Sequence, residues 1–493
     1  MQSASDDAPS AGTPSSLLPG DSLLQRLLNP VDIASLVFFR IFFGVIAFWH
    51  VWLQMPDVKT KYIDPDFHFT YPGFGWVEPL PGELMHVVVL VMAAATIFIA
   101  LGLYYRYAAA VFFLTHTYIL LIDASVAWNH YYLISLLGFL LIFVPANKAF
   151  SLDVARGAVA QSDDVPAWTL WSLRGQMAIV YFFAGLAKLS SHDWLNGEPM
   201  STYLSHKTDF PLIGRWLAED WAGYLGSYSG MLFDLLIVPA LLWRRTRYLG
   251  LALAVTFHLS NSLIFSIQVF PWLALAATLL FLPPAWPRLG AQWRRLTEPA
   301  AAHFESVRLN GRHAAIAGLL ALYFVFQVLL PLRHFLYSGN AEWTYAGHYH
   351  AWRMLLAERE REIAFYITSD DDASICEVDP TAYLYPFQTV QIDIPDMIVQ
   401  FAHMVGENYE ARGATDFKIR VWTDFSINGR EGRGLIDPDV DLLSVSRPLL
   451  GKPSWIIDLE DAVPLGEKPV AERCPDPVPL ERLRQIGSAL EPE

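Results

Sequence analysis

Lys188 closes an apolar run, Ile179-Val180-Tyr181-Phe182-Phe183-Ala184-Gly185-Leu186-Ala187-Lys188-Leu189. An ionisable group inside a membrane is costly and usually has a partner or a task. Burial also disfavours the ammonium form, so such an amine can serve as a base near neutral pH. The plainer use is a lysine that lays its stem on apolar surface and keeps its head at the polar boundary. Other polar groups sit in comparable places. Asn129 and His130 open Trp128-Asn129-His130-Tyr131-Tyr132, and His334 stands in Leu332-Arg333-His334-Phe335. His258 and Asn261 are three apart, hence on one helical face.

Metal binding competes for the histidines. No H-x-x-H or H-x-x-x-H pair falls within an apolar segment, and His130 and His258 have amides and aromatics as neighbours. His348 and His350 form a weak pair two residues apart, read as mainly surface or structural. Gly-rich phosphate loops, CxxC pairs and a convincing nucleophile elbow are missing. The sequence therefore leads to the expectation that no metal is used.

The elements that must position these groups are membrane helices. The 493 residues are 54% hydrophobic and only 17% charged, too apolar for an ordinary soluble enzyme. Apolar runs predict about nine spans, near 34–54, 86–104, 107–122, 127–144, 174–189, 223–243, 247–265, 270–284 and 313–332. With the N-terminus inside, cytosolic loops and their flanks hold 12 basic residues and the opposite loops 5. The positive-inside rule then places the start of the chain in the cytoplasm and, with nine spans, its end outside. On that map Asn129, His130, Lys188, His258 and His334 gather at the outer face.

The net charge of −15 is uneven: residues 333–493 carry 28 Asp+Glu against 15 Lys+Arg, and residues 1–332 are nearly balanced. An acidic tail argues against nucleic acid as partner. Alternation over Ile363–Thr368 and Lys418–Thr423 predicts strands, Asn428-Gly429 a tight hairpin, and Pro395–Val405 a helix that begins at a proline. The fold expected is thus a multi-span all-α membrane bundle with a C-terminal β-rich domain. Cys376 and Cys474 both lie in the tail, either as a disulfide or as two free thiols.

At these residues the chain resembles the vitamin K-dependent γ-glutamyl carboxylase family, in its bacterial form. The likeness lies in Trp128–Leu133, Leu173–Gln176 running into Tyr181–Leu189, Asp193-Trp194, and Phe257-His258 with Asn261-Ser262 and Phe265-Ser266-Ile267. It continues through Pro284–Pro287, Arg333–Phe335, Trp343-Thr344, Trp352–Met354, and Ser426–Arg430 leading to Leu435–Asp441. It covers about residues 30 to 460.

The resemblance implies a reduced vitamin K hydroquinone that is deprotonated by an amine, reacts with O₂ and ends as an epoxide. The alkoxide formed on the way takes a γ-proton from a glutamate of a protein substrate, and CO₂ adds there. Lys188 matches the base, which implies a neutral amine with no carboxylate close by. His130 and His258 match further catalytic positions. Asn129, His130, Trp343, His334 and His348 match the surroundings of the quinol. The likeness departs at Gly185-Leu186-Ala187-Lys188-Leu189, where animal members have two adjacent lysines, and at His348, where they have a tyrosine. The implied organisation is a cytosolic leader over 1–30, a carboxylase-like (HTTM) membrane domain over 31–332, an extracytoplasmic domain over 333–470 and a flexible tail over 471–493. The implied setting is a bacterial inner membrane, with the lipid bilayer as the route for the quinol. Two other readings stay open: a quinol epoxidase or oxidase without carboxylation, and a non-catalytic membrane quinone-binding protein.

Overall fold

The computed structural model describes residues 23–126, 128–265, 267–289, 311–337, 339–369, 374–448 and 451–478. Most of the expected leader and the final 15 residues lie outside these. The N-terminal two thirds is helical. Its main helices are α1 (Ala34–Gln54), α2 (Leu84–Leu101), α3 (Tyr105–Ile122), α4 (Asn129–Phe143), α5 (Trp168–Ser190), α6 (Asp220–Leu242), α7 (Arg247–Ile264), α8 (Phe270–Thr278) and α9 (Gly311–Leu332).

Five helical segments are long and apolar enough to cross a membrane: Ala34–Asp57, Leu84–Leu101, Tyr105–Ile122, Asp220–Leu242 and Ala314–Leu336. Asn129–Phe143 and Phe270–Phe281 are apolar but shorter. Helices α5 and α7 coincide with two further expected spans but carry Arg174, Gln176 and Lys188, and His258 and Asn261, among their apolar residues. The chain is a membrane protein by these helices. Five spans, not about nine, meet the length and composition for a crossing among the described residues.

Packing inside the bundle explains its buried polar residues. Arg40 of α1 is 1% exposed, and its guanidinium donates to the carbonyls of Ala146, Ala149 and Phe150 in the turn after α4. A charge at that depth is tolerable because carbonyls replace its water. Helices α5 and α6 touch through Gly185. A Cβ added there would lie 2.7 Å from Leu235 Cγ and 3.0 Å from the Leu235 backbone nitrogen. That close approach determines what faces Lys188 one turn later.

The C-terminal part has one three-stranded antiparallel sheet of order β2-β1-β3, with β1 (Arg359–Ser369) between β2 (Ser374–Val378) and β3 (Phe417–Ile427). Phe365 pairs with Val378 on one side and Val421 on the other. Helix α10 (Pro395–Glu410) begins at its proline and lays Met397, Ile398, Phe401 and Val405 on the sheet; the Phe365 and Phe401 rings lie 4.7 Å apart. Asn428 and Gly429 both take positive φ, 54° and 71°, the backbone an Asn-Gly turn requires. Cys376 and Cys474 are disulfide-bonded, which resolves the alternative left open by the sequence.

The two parts are joined by specific contacts. Phe69 and Tyr71, from the loop between α1 and α2, belong to the C-terminal hydrophobic core. Gln400 of α10 accepts from the Thr70 backbone N–H at 2.8 Å, and Gln388 donates to the carbonyl of Phe67 at 2.8 Å. Arg447 reaches the Thr70 carbonyl at 2.6 Å while it pairs with Asp396.

Candidate functional site

Lys188 lies in the last turn of α5 and is 6% exposed. Its amine is held inside the helices. Nζ donates to Asp234 Oδ2 of α6 at 2.9 Å, with the Ala184 carbonyl at 3.5 Å and the Trp194 ring centroid 5.1 Å away. Asp234 is 7% exposed. The expectation of an amine without a nearby carboxylate is therefore overturned. Two opposite charges at this depth hold each other where neither would be stable alone. Trp194, whose ring faces the amine, is fixed by its indole N–H to the Ser227 carbonyl at 2.7 Å.

His258 and His130 form a second locus. His258 Nε2 is 2.9 Å from the Tyr181 hydroxyl of α5, and that hydroxyl is 3.4 Å from Thr278 Oγ1 of α8. The Phe270 ring lies between the two histidines, 6.2 Å from His258 and 6.3 Å from His130. His258 Nδ1 and His130 Nε2 are buried and have no hydrogen-bond partner. Such nitrogens are costly to leave unmatched, so they mark positions where a bound polar group is favoured. Asn129 opens α4 beside His130 and is half-buried. Phe233, next to Asp234, packs its ring 5.7 Å from His258. Aromatic packing thus links the lysine pair to the histidines, without a hydrogen bond between them.

A histidine pair not singled out by sequence adjoins this locus. His50 of α1 and His116 of α3 face each other, Nε2 to Nε2, at 3.2 Å; Gln54 lies 2.6 Å from His50, and Ser135 2.8 Å from His116. The His130 ring is 6.4 Å from His50. The signal was present in the sequence as two more histidines inside apolar runs. Among the described residues, no three His, Cys, Asp or Glu side chains are placed to hold a metal.

The C-terminal candidates fall elsewhere. Trp343 is 1% exposed and donates its indole N–H to the Ile457 carbonyl at 2.8 Å, inside the C-terminal core. His334 accepts from Arg353 at 3.1 Å, and its other ring nitrogen is 2.7 Å from the Pro331 carbonyl. Arg353 also pairs with Glu342. The His348 ring lies 4.7 Å from that of Tyr345, and its Nδ1 is buried without a partner. Burial, with Arg353 and Arg359 nearby, pushes the His348 imidazole down to about 3. His350, whose ring is 4.3 Å from Tyr132 of α4, is likewise pushed down to about 3 by burial and Arg333. Of the two uses expected from sequence, surface or structural, these contacts fit the structural one.

A cavity of about 670 Å³ opens at the junction of the two parts. Its walls include Tyr132, Ser135 and Phe139 from α4, Gln327 from α9, and Tyr349 and His350 from the C-terminal part. Gln327 donates to the Tyr132 hydroxyl at 2.9 Å. Asn129, His130, Lys188 and His258 are not among its lining residues. The structure therefore brings His130 and His258 around Phe270, sets Lys188 against Asp234, and separates both from the cavity that His350 lines.

Comparison with known families gives two matches. The HTTM domain model matches residues 28–286, and the vitamin K-dependent gamma-carboxylase lumenal domain model matches residues 312–462. No solved structure matches the chain.

Proposed function

The chain belongs to the vitamin K-dependent gamma-carboxylase family, and from that premise we propose that it carboxylates glutamate side chains of a protein substrate, coupled to oxidation of a vitamin K hydroquinone. The observation that carries this reading is a buried amine, Lys188, on the helix whose Tyr181 meets His258, together with two buried imidazole nitrogens, His130 Nε2 and His258 Nδ1, that lack partners. The residues fit a quinol: its two hydroxyls need acceptors or donors in an apolar setting, and the unmatched nitrogens flank an aromatic ring.

When bound, the hydroquinone supplies, with O₂, the strong base that removes a glutamate γ-proton before CO₂ adds. The chain's own residues prepare for this. Lys188, once its amine is neutral, accepts the proton of a quinol hydroxyl. Tyr181 fixes one face of the His258 ring, which leaves Nδ1 to bond the ligand. Phe270, Phe233 and the surrounding helices exclude water, which would otherwise quench a strong base. Asn129 and His130 orient the reacting oxygens from the start of α4. His334, Trp343 and His348 act one step further out, by fixing the segment that joins α9 to the C-terminal part.

The proposed orientation has the start of the chain in the cytoplasm and the C-terminal part outside, in a bacterial inner membrane. The disulfide between Cys376 and Cys474 supports this, since such bonds persist in oxidising compartments. In this reading the quinol arrives through lipid.

Product analysis tests the function. Purified protein receives reduced vitamin K, O₂, labelled bicarbonate and a glutamate-containing peptide. The expected result is label in the peptide together with vitamin K epoxide. Epoxide without label reduces the function to quinol oxidation, and neither product overturns the reading.

A further inference from the structure

We infer that Asp234 is a positioning residue for Lys188: its carboxylate, in contact with the amine, aims Nζ. This rests on the reading of Lys188 as the base.

Three observations carry it. The Lys188–Asp234 contact is 2.9 Å, and both side chains are buried. The contact is built in, because Gly185 lets α6 approach α5 until Leu235, the next residue after Asp234, meets the space where a Cβ would be. The rest of the surroundings of Asp234 are apolar: it borders a groove of about 370 Å³ lined by Ile179, Phe182, Phe183, Val238 and Val328. Nothing else there competes for its charge, and Lys188 is its ion-pair partner among the described residues.

Most of the other ionisable groups on α5 and on the elements packed against it have partners of their own. Tyr181 and His258 bond each other, Tyr323 of α9 donates to Gln176, and Arg174 donates to the carbonyls of Leu280 and Leu282. Asp193, just past α5, is held by Asn428 and Arg430. On α4, His130 has no hydrogen-bond partner at Nε2 and no ion pair, and the Tyr132 hydroxyl accepts from Gln327. The carboxylate of Asp234 is thus the charge in direct contact with the amine.

The consequence is orientation: Asp234 keeps Nζ from turning toward other acceptors.

The test is the split of kcat against KM for epoxide formation from reduced vitamin K by the full-length protein in detergent. With Asp234→Asn, kcat is expected to fall about ten-fold with KM little changed, the pattern of a group that acts on the reacting step. Asp234→Glu keeps the carboxylate and recovers part of kcat. Gly185→Ala keeps both groups but forces the helices apart, and lowers kcat as Asp234→Asn does. It stands in for that variant if Asp234→Asn does not fold. An unchanged kcat in a folded Asp234→Asn or Gly185→Ala protein overturns the inference. If Lys188→Ala keeps epoxide formation, the base assignment itself fails; if Lys188→Ala is inactive while Asp234→Asn keeps the wild-type kcat, only the role of Asp234 fails.

Discussion

Asn428, at the tip of the turn that follows β3, donates its side-chain N–H to Asp193 Oδ2 at 2.8 Å, and Arg430 pairs with the other carboxylate oxygen. Asp193 stands five residues after Lys188 and next to Trp194, whose ring faces the amine. The C-terminal part thus anchors the segment that completes the surroundings of the lysine. Asp193→Ala is expected to cost about 1 kcal/mol, since Arg430 is half-exposed and only the Asn428 bond is sheltered. Limited proteolysis of the 190–219 segment should quicken in that variant. Unchanged cleavage would show that the turn does not anchor it.

Lys188→Ala leaves Asp234 as an unpaired buried carboxylate, and it is expected to abolish epoxide formation and to lower thermal stability. Lys188→Ala combined with Asp234→Leu removes both charges and recovers much of the stability, because replacing a buried pair by apolar residues is often neutral. Activity stays absent. Detergent-phase melting curves and epoxide assays separate the two effects.

Tyr181→Phe removes the hydroxyl that meets His258 Nε2 and leaves both ring nitrogens of His258 without protein partners. The expected loss is about 1–3 kcal/mol of stability. In a double-mutant cycle with His258→Phe, the second change costs much less in the Tyr181→Phe background. Additive losses would mean that the two side chains are not coupled.

Reduction of Cys376–Cys474, or Cys474→Ser, opens a loop closed across a sequence separation of 98 residues. The chain-entropy estimate for such a loop is about 4–5 kcal/mol. The effect should fall on the C-terminal sheet, where Cys376 sits on β2. Hydrogen exchange measured on the peptides of β1, β2 and β3 checks this, with faster exchange expected there and little change in α2 and α3.

His348 and His350 titrate far below an ordinary imidazole in the folded protein. Between their unfolded pKa, about 6.5, and about 3, the unfolded chain binds protons that the folded one does not. Stability contributed by the neutral rings is therefore fully present above pH 6.5 and falls as the pH drops toward 3. Melting temperatures of the wild type should decline through this window. His348→Asn should flatten the decline; an equally steep decline in that variant removes His348 from the effect.

The sequence displayed Lys188 because a lysine inside Phe182–Leu189 contrasts with everything around it. Asp234 carries the same contrast in Leu232-Phe233-Asp234-Leu235-Leu236, but its meaning lies in a partner 46 residues away, and one sequence has no means of pairing them. His50 and His116 were equally visible and equally mute, since their contact depends on how α1 and α3 are rotated. Trp343 shows the converse. Its place beside the motif residues made it a site candidate, while its indole in fact packs into the C-terminal core. The strands and α10 were legible from alternation and from Pro395, because those patterns are local. The helices of the N-terminal part were legible by position, though five of them meet the length and composition for a crossing; where α5 and α7 fall short of a plain apolar crossing, the cause is the polar residues that make them interesting.

The junction cavity has walls from both parts of the chain, with Tyr132 and Gln327 on one side and Tyr349 and His350 on the other. Filling it and holding the two parts together are therefore one equilibrium seen from two ends. An apolar occupant that binds only when both walls are in place stabilises the docked arrangement by mass action, more so as its concentration rises. By the same linkage, any substitution that loosens Thr70 from Gln400 weakens the affinity for that occupant, although neither residue lines the cavity.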